Sequence, residues 1–202
     1  MATVYLVRHA ISQANVDGIL AGRTPSIALA DGSVDQLNEL TKYFANKTVD
    51  CVVSSPLLRA QLTAEAISMD IETDIDLNEC DYGQWSNRLL SDLTTEQMWE
   101  TIQKRPSEVQ FPGGEHLSAM QERAVRSVER WRMKAGAVAL VSHGDVIKSI
   151  IAHYSKIAFN DFQGIRVPPA SVVQLHFEQS RVRMCGFLYS SHGSEMGGGK
   201  RG

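Results

Sequence analysis

The sequence predicts an α/β fold: a three-layer sandwich with a mostly parallel central sheet and helices on both faces. Three observations predict it. Apolar runs alternate with helix-spaced amphipathic segments through the first 155 residues, the pattern of strands joined by crossover helices. Three of those runs, within 3–8, 50–54 and 137–141, lead into a turn and then a basic or imidazole side chain before a helix. Open α/β sheets gather their ligands at that carboxyl edge. Finally, 202 residues with 43% hydrophobic and 21% charged content suffice for one developed core. The expectation is a single domain over 1–190 followed by a flexible tail over 191–202, where glycines recur without apolar periodicity.

Taken in order, Val4, Leu6 and Val7 mark a short buried strand that ends on Arg8 and His9. Residues 11–30 hold Asn15, Gly18, Gly22 and Pro25, which break any long period, so a loop with a short helix is expected. Val34, Leu37, Leu40 and Phe44 have helical spacing and predict a helix over 33–46. Residues 50–54 form a second strand, and Pro56 stands near the start of a helix reaching about Ser68. Ile71, Thr73, Ile75 and Leu77 alternate with Glu72, Asp74 and Asp76, which predicts a half-exposed edge strand over 71–77. Short helices follow over 88–104, stopping before Pro106. Gly113 and Gly114 allow close backbone approach or a positive φ. Leu117, Met120, Ala124, Val128 and Trp131 lie along one face of a long helix, with Met120 and Trp131 read as core. Residues 137–141 are the clearest buried strand, and a helix runs from Gly144 to about Tyr154. Residues 155–169 read as loop with one short turn, and 172–177 with 182–188 as an antiparallel hairpin.

The bulk numbers exclude several classes. Twenty-three acidic against 20 basic side chains give a net charge of −3, without the basic field that nucleic-acid or anionic-lipid binding requires. No apolar run approaches the ~20 residues of a membrane span. Cys51, Cys80 and Cys185 have no metal-ligand spacing and suit a reducing compartment. With no signal-peptide pattern ahead of the first strand, a cytoplasmic protein is expected. Neither nucleic acid nor membrane is expected as a partner.

The strand ends carry the chemistry. Arg8 and Arg59 offer N–H forks that suit the oxygens of a phosphoryl group. His9 can attack phosphorus, and His143, near a helix amino end, can donate to an oxygen as charge develops there. Individually each residue has an ordinary structural reading, a hydrogen-bonded strand-end histidine or a solvated arginine. No His-Glu-x-x-His or similar spacing supports a metal site.

Five motifs in order then resemble the histidine phosphatase superfamily, which includes the cofactor-dependent phosphoglycerate mutases and many phosphatases. They are Leu6-Val-Arg8-His9-Ala10 with Asn15 downstream; Ser54-Ser55-Pro56-Leu57-x-Arg59-Ala60; Leu77-Asn78-Glu79-x-x-Tyr82-Gly83-x-Trp85; Pro112-Gly113-Gly114-Glu115; and Val141-Ser142-His143-Gly144. The resemblance spans residues 3–188 and extends to bacterial members of the phosphomutase and phosphatase branch. It implies that His9 is the nucleophile and Glu79 the proton donor. It also implies that Arg8, Asn15, Arg59 and His143 bind phosphate, with no metal and no cofactor. From the residues alone Asp81 rivals Glu79 as the acid. Ala10 departs from the family's commoner glycine, costing little at negative φ and straining the chain at positive φ. Asp145 could orient a neighbour or repel an acidic substrate, or simply favour the first turn of its helix. Lys148, one turn deeper, could hold a loop.

The interval from 83 to 112 is shorter than the excursion that family mutases carry there. The expected function is therefore a metal-independent phosphomonoesterase for a small phosphorylated metabolite. The alternatives are a phosphoglycerate mutase-like phosphomutase and a non-catalytic phospho-ligand or protein-interaction module. Arg23, Arg105 and Arg166 are loop cations that could reach a second acidic group on the substrate or face solvent. Trp99, Phe159 and Phe162 leave homo-oligomer formation open, with packing beneath loops as the alternative.

Overall fold

The computed structural model describes residues 1–178 and 181–188. Six strands form one sheet in the order β3-β2-β4-β1-β5-β6. β1 (Ala2–Arg8), β2 (Cys51–Ser54), β3 (Ile71–Thr73) and β4 (Ala137–Ser142) run parallel, whereas β5 (Val172–Glu178) and β6 (Arg181–Leu188) form the antiparallel hairpin on β1. The helices are α1 (Gln13–Val16), α2 (Val34–Phe44), α3 (Leu58–Ala64), α4 (Leu90–Leu93), α5 (Gln97–Lys104), α6 (Leu117–Arg132) and α7 (Gly144–Ser155). The proposed tail over 191–202 lies outside the described residues.

Side chains alternate across β1, so Val4 and Leu6 join one core while Tyr5 and Val7 join the other. The first core lies against α6 and α7; the second takes Leu40 and Phe44 from α2 and Ala60 and Ala64 from α3. A sheet covered on both faces explains why residues 4–7 and 138–141 read as unbroken apolar runs. Parallel register sets Arg8 of β1 beside Ser142 of β4, and Ser54 of β2 beside Val141. The segments that follow these strands therefore emerge together at one edge.

The strand expected over 71–77 is the main departure. β3 is an edge strand, but it stops at Thr73 and gives way to a 3-10 turn over Ile75–Leu77. Asp74 ends it by turning inward. Its Oδ2 accepts from Ser127 Oγ at 2.7 Å, Arg130 at 2.6 Å and Trp131 Nε1 at 2.7 Å, while its Oδ1 caps the turn at the Asp76 N–H. Alternation thus inverts: Asp74 is buried and Ile75 is 71% exposed. The third helix is also shorter than expected, since regular α-helix ends at Ala64. Between α7 and β5, a 3-10 segment over Phe159–Gly164 fills much of the predicted loop.

Candidate active site

At the shared strand edge is a cavity of about 290 Å³, lined by Arg8, His9, Asn15, Arg59 and Glu79 among others. His143 is fully buried beside it, with its ring centroid 5.2 Å from that of His9. All six site residues expected from the sequence therefore meet in one place. Arg8 ends β1 and His9 follows it, Arg59 lies in the first turn of α3, and His143 is the N-cap position of α7. The Ala10 N–H donates to Thr63 Oγ1 at 3.0 Å, which ties the turn after β1 to the helix carrying Arg59.

His9 is 3% exposed, and its Nδ1 lies 2.7 Å from the Ala10 carbonyl oxygen. A carbonyl can only accept, so Nδ1 carries the proton and the neutral ring keeps its lone pair on Nε2. Burial and the charges of Arg8 and Arg59 hold the His9 pKa well below its ordinary value. His143 is lowered in the same direction by burial and by Arg59. Its Nε2 pairs with Ser55 Oγ at 2.8 Å, and Ser55 in turn donates to Asn78 Oδ1 at 3.0 Å. Its Nδ1 is buried without a partner among the described residues.

The guanidiniums are fixed from behind by carbonyls. Arg59 donates to Gly22 O at 2.8 Å and Arg8 to Val167 O at 2.5 Å, while Arg8 Nε has no partner among the described residues. Asn15 spends its carbonyl oxygen on Ser12 in a capping box at α1, which leaves its amide N–H groups available. Ala10 is fully buried and does not have positive φ, so alanine is unstrained where the family more often has glycine.

Glu79 is 9% exposed, and the hydrogen bond described for its carboxylate is from the Cys80 N–H at 2.8 Å. Burial, then the charge of Asp145, raises its pKa to about 7, against the opposing pull of that N–H and of Arg59 and Arg8. Asp145 itself stays low despite burial, because Lys148 and the Tyr82 hydroxyl stabilise its charge. Asp81, the rival acid in the sequence, is outside the cavity lining and accepts from the Gly83 N–H.

The loop carrying Glu79 is braced by Arg123, which the sequence did not single out, and by Glu115 of the Pro-Gly-Gly-Glu motif. Arg123 of α6 donates to the carbonyls of Asp76, Asn78 and Glu79 and to both carboxylate oxygens of Glu115. Glu115 accepts from the Asp81 N–H as well. Two glycines allow this loop to press against residues 112–114. A Cβ at Gly83 would stand 2.2 Å from Pro112 O, and one at Gly114 would stand 2.2 Å from Asp81 O. The close approach permitted at Gly114 is thus between two loops of the chain. Arg123 gave no signal at the sequence level beyond being a polar residue on the inner face of an amphipathic helix.

Arg23 is not in the cavity lining. It donates to the Glu79 carbonyl at 3.0 Å and to Glu115 at 3.1 Å. Arg105 pairs with Glu108 and Arg166 is exposed, and neither lines the cavity. Lys148 reaches the 159–164 segment through Gln163, at 3.1 Å. Of the three aromatic residues that left homo-oligomer formation open, Trp99 lines the cavity. Phe162 is fully buried and stacked on Phe159, with centroids 4.8 Å apart.

A mostly parallel sheet whose edge gathers guanidiniums around two buried imidazoles defines an α/β protein with a pocket suited to a tetrahedral oxyanion. The chain belongs to the histidine phosphatase superfamily (branch 1), whose family model matches residues 4–187. It is 27% identical over 190 residues to phosphoserine phosphatase 1 of Hydrogenobacter thermophilus, covering 90% of this chain and 89% of that one. It is 30% identical over 158 residues to the adenosylcobalamin/alpha-ribazole phosphatase of Escherichia coli, covering 74% and 77%. The crystal structure of the alpha-ribazole phosphatase from Shigella flexneri superposes with a TM-score of 0.79 at 25% identity, covering 91% of this chain and 94% of that one. Among the described residues no helix is long and apolar enough to cross a membrane.

Proposed function

We propose that this chain is a metal-independent phosphomonoesterase acting on a small phosphorylated metabolite through a phosphohistidine at His9. The observation that carries the reading is the His9 tautomer. Because the Ala10 carbonyl claims Nδ1–H, Nε2 is an unprotonated nucleophile inside a cavity that also holds two guanidiniums and a buried carboxyl.

In the first half-reaction Nε2 bonds to phosphorus as the bond to the leaving oxygen breaks. Glu79, protonated below about pH 7, gives that oxygen its proton. Arg8, Arg59 and the Asn15 amide hold the equatorial oxygens and compensate their charge. His143 is the fourth phosphate ligand. The dianion raises its lowered pKa on binding, and Nδ1 takes up the proton it needs to donate. In the second half-reaction Glu79, now ionised, accepts a proton from water. The water oxygen bonds to phosphorus, the P–N bond breaks and phosphate leaves.

The relatives' names supply the substrate class, since the phosphatases above are named for small phosphate esters. The three cysteines, none of them in a disulfide, support a cytoplasmic setting. The test is phosphate release from a panel of small phosphomonoesters in the presence of EDTA. Wild-type activity that persists under chelation and disappears in His9→Ala supports the reading. Undiminished hydrolysis by His9→Ala overturns it.

A further inference from the structure

The cavity lining is of two kinds. Arg8, His9, Arg59 and Glu79 carry the chemistry, whereas Leu20, Trp85, Leu90, Trp99, Ile102 and Phe111 supply an apolar wall. Part of that wall is rigid: Phe111 meets the rings of Trp85 and Tyr82 edge-on, with centroids 5.7 and 5.0 Å apart. Part of it is unclaimed apolar surface, since Leu90 is 38% exposed and Leu20 and Trp99 are half-buried. A leaving group that covers this surface gains affinity in proportion to the apolar area it removes from water.

The remaining charges in the lining are already matched to one another. Besides Arg8 and Arg59, the one cation among the described lining residues is Lys148, whose ammonium is shared between Asp145 Oδ1 and Gln163 Oε1, at 3.1 Å each. The other oxygen of Asp145 accepts from Tyr82. A substrate carboxylate arriving here would have to strip Lys148 from Asp145 or lie beside an acidic group without compensation, and both are costly in a largely desolvated site. Arg23, the nearby loop cation, is held by the Glu79 carbonyl and Glu115. Neutral hydrogen bonding is available from Gln103 and from the Gln163 amide nitrogen. About 290 Å³ is near the lower end of small-molecule sites, ~300–1,000 Å³, so the occupant is compact.

We propose that this chain selects phosphomonoesters whose leaving group is compact, apolar or aromatic, and free of carboxylate. The inference rests on the phosphatase reading and narrows it, and it sets this chain apart from relatives named for phosphoserine. Selectivity comes from the apolar wall and chemistry from His9, Glu79 and the arginines, so the two can fail separately.

The test compares kcat/KM for benzyl phosphate and phosphoserine, both of which release an alkanol, so that leaving-group ability does not decide. Calorimetric titration with benzylphosphonate and phosphonoacetate gives a readout independent of turnover. Benzyl phosphate is expected to win by at least about tenfold, and benzylphosphonate to bind tighter by a similar factor. Trp99→Ala is expected to close most of that ratio through the benzyl ester. Leu90→Lys, at an exposed position, is expected to raise kcat/KM for phosphoserine several-fold. A phosphoserine preference, or equal binding of the two phosphonates, would overturn the selectivity proposal while leaving the phosphatase reading intact. Phosphate release from neither ester would overturn both.

Discussion

Asp74 and Glu79 stand five residues apart on one loop-rich segment, and both carboxyls are nearly buried, at 6% and 9% exposure. Asp74 is met by a hydroxyl, an indole N–H, a guanidinium and a backbone N–H, and these hold its pKa below the usual carboxylate value against the effect of burial. Glu79 receives one backbone N–H and faces Asp145, and burial raises it to about 7. Burial alone thus does not distinguish a structural carboxylate from a proton carrier. The number of donors aimed at it does.

The sharpest test of that contrast is to remove each carboxyl in turn. Glu79→Gln is expected to lower kcat/KM for an alkyl phosphate by about 10²–10⁴, the usual range for a positioned general acid, with the fold retained. Asp74→Ala is expected to do the opposite. It leaves Ser127 and Trp131 with buried unmatched donors, at a cost of about 3 kcal/mol, which shifts Tm down by about 6–12 °C. The partly exposed Arg130 adds little to that figure. Activity per folded molecule, measured well below the new Tm, stays within a few-fold. If Asp74→Ala abolished turnover in folded protein, the division between the two carboxyls would fail.

Arg123 links the two roles, because it holds the Glu79 loop through three carbonyls. Arg123→Met is expected to cost about 10-fold or more in kcat by loosening Glu79. Stability falls too, since Glu115 loses its principal partner. Circular dichroism and single-turnover kinetics separate the two effects.

The pH dependence follows from the same contrast. The reaction needs Glu79 protonated, so kcat/KM for alkyl phosphates falls as pH rises through about 7, a limb that Glu79→Gln lacks. Stability has the matching sign. A carboxyl whose folded pKa is above its unfolded value stabilises most at low pH and loses that contribution as pH rises from about 4.5 to about 7. Glu79→Gln is accordingly expected to have a Tm at or above that of the wild type at pH 8. The smallest expected effect is Ala10→Gly, which removes a buried methyl and adds backbone freedom. It costs about 1 kcal/mol without raising activity.

Much of this was legible in the sequence because it depended on local order. A strand that ends on Arg8-His9 and another that runs into Ser142-His143 had to meet once β1 and β4 paired in parallel. The same logic found the hairpin and the core face of α6. Alternation failed at 71–77, because the partners that draw Asp74 inward lie more than 50 residues away on α6. Arg123 and the Tyr82–Asp145–Lys148 chain were hidden for the same reason: their meaning lies in contacts across the fold. Arg23 looked like a free cation only because the sequence does not show Glu115 beside it.

The most direct measurement is a chemical-quench trap of the phosphoenzyme in Glu79→Gln with 4-nitrophenyl phosphate, an ester whose leaving group needs no acid. The variant should then form phosphohistidine readily and hydrolyse it slowly, because the base of the second half-reaction is missing. The account predicts a nitrophenol burst of about one equivalent and an acid-labile phosphoryl group on Nε2 of His9. Steady release of nitrophenol with no label on His9, or with the label on another residue, would contradict it.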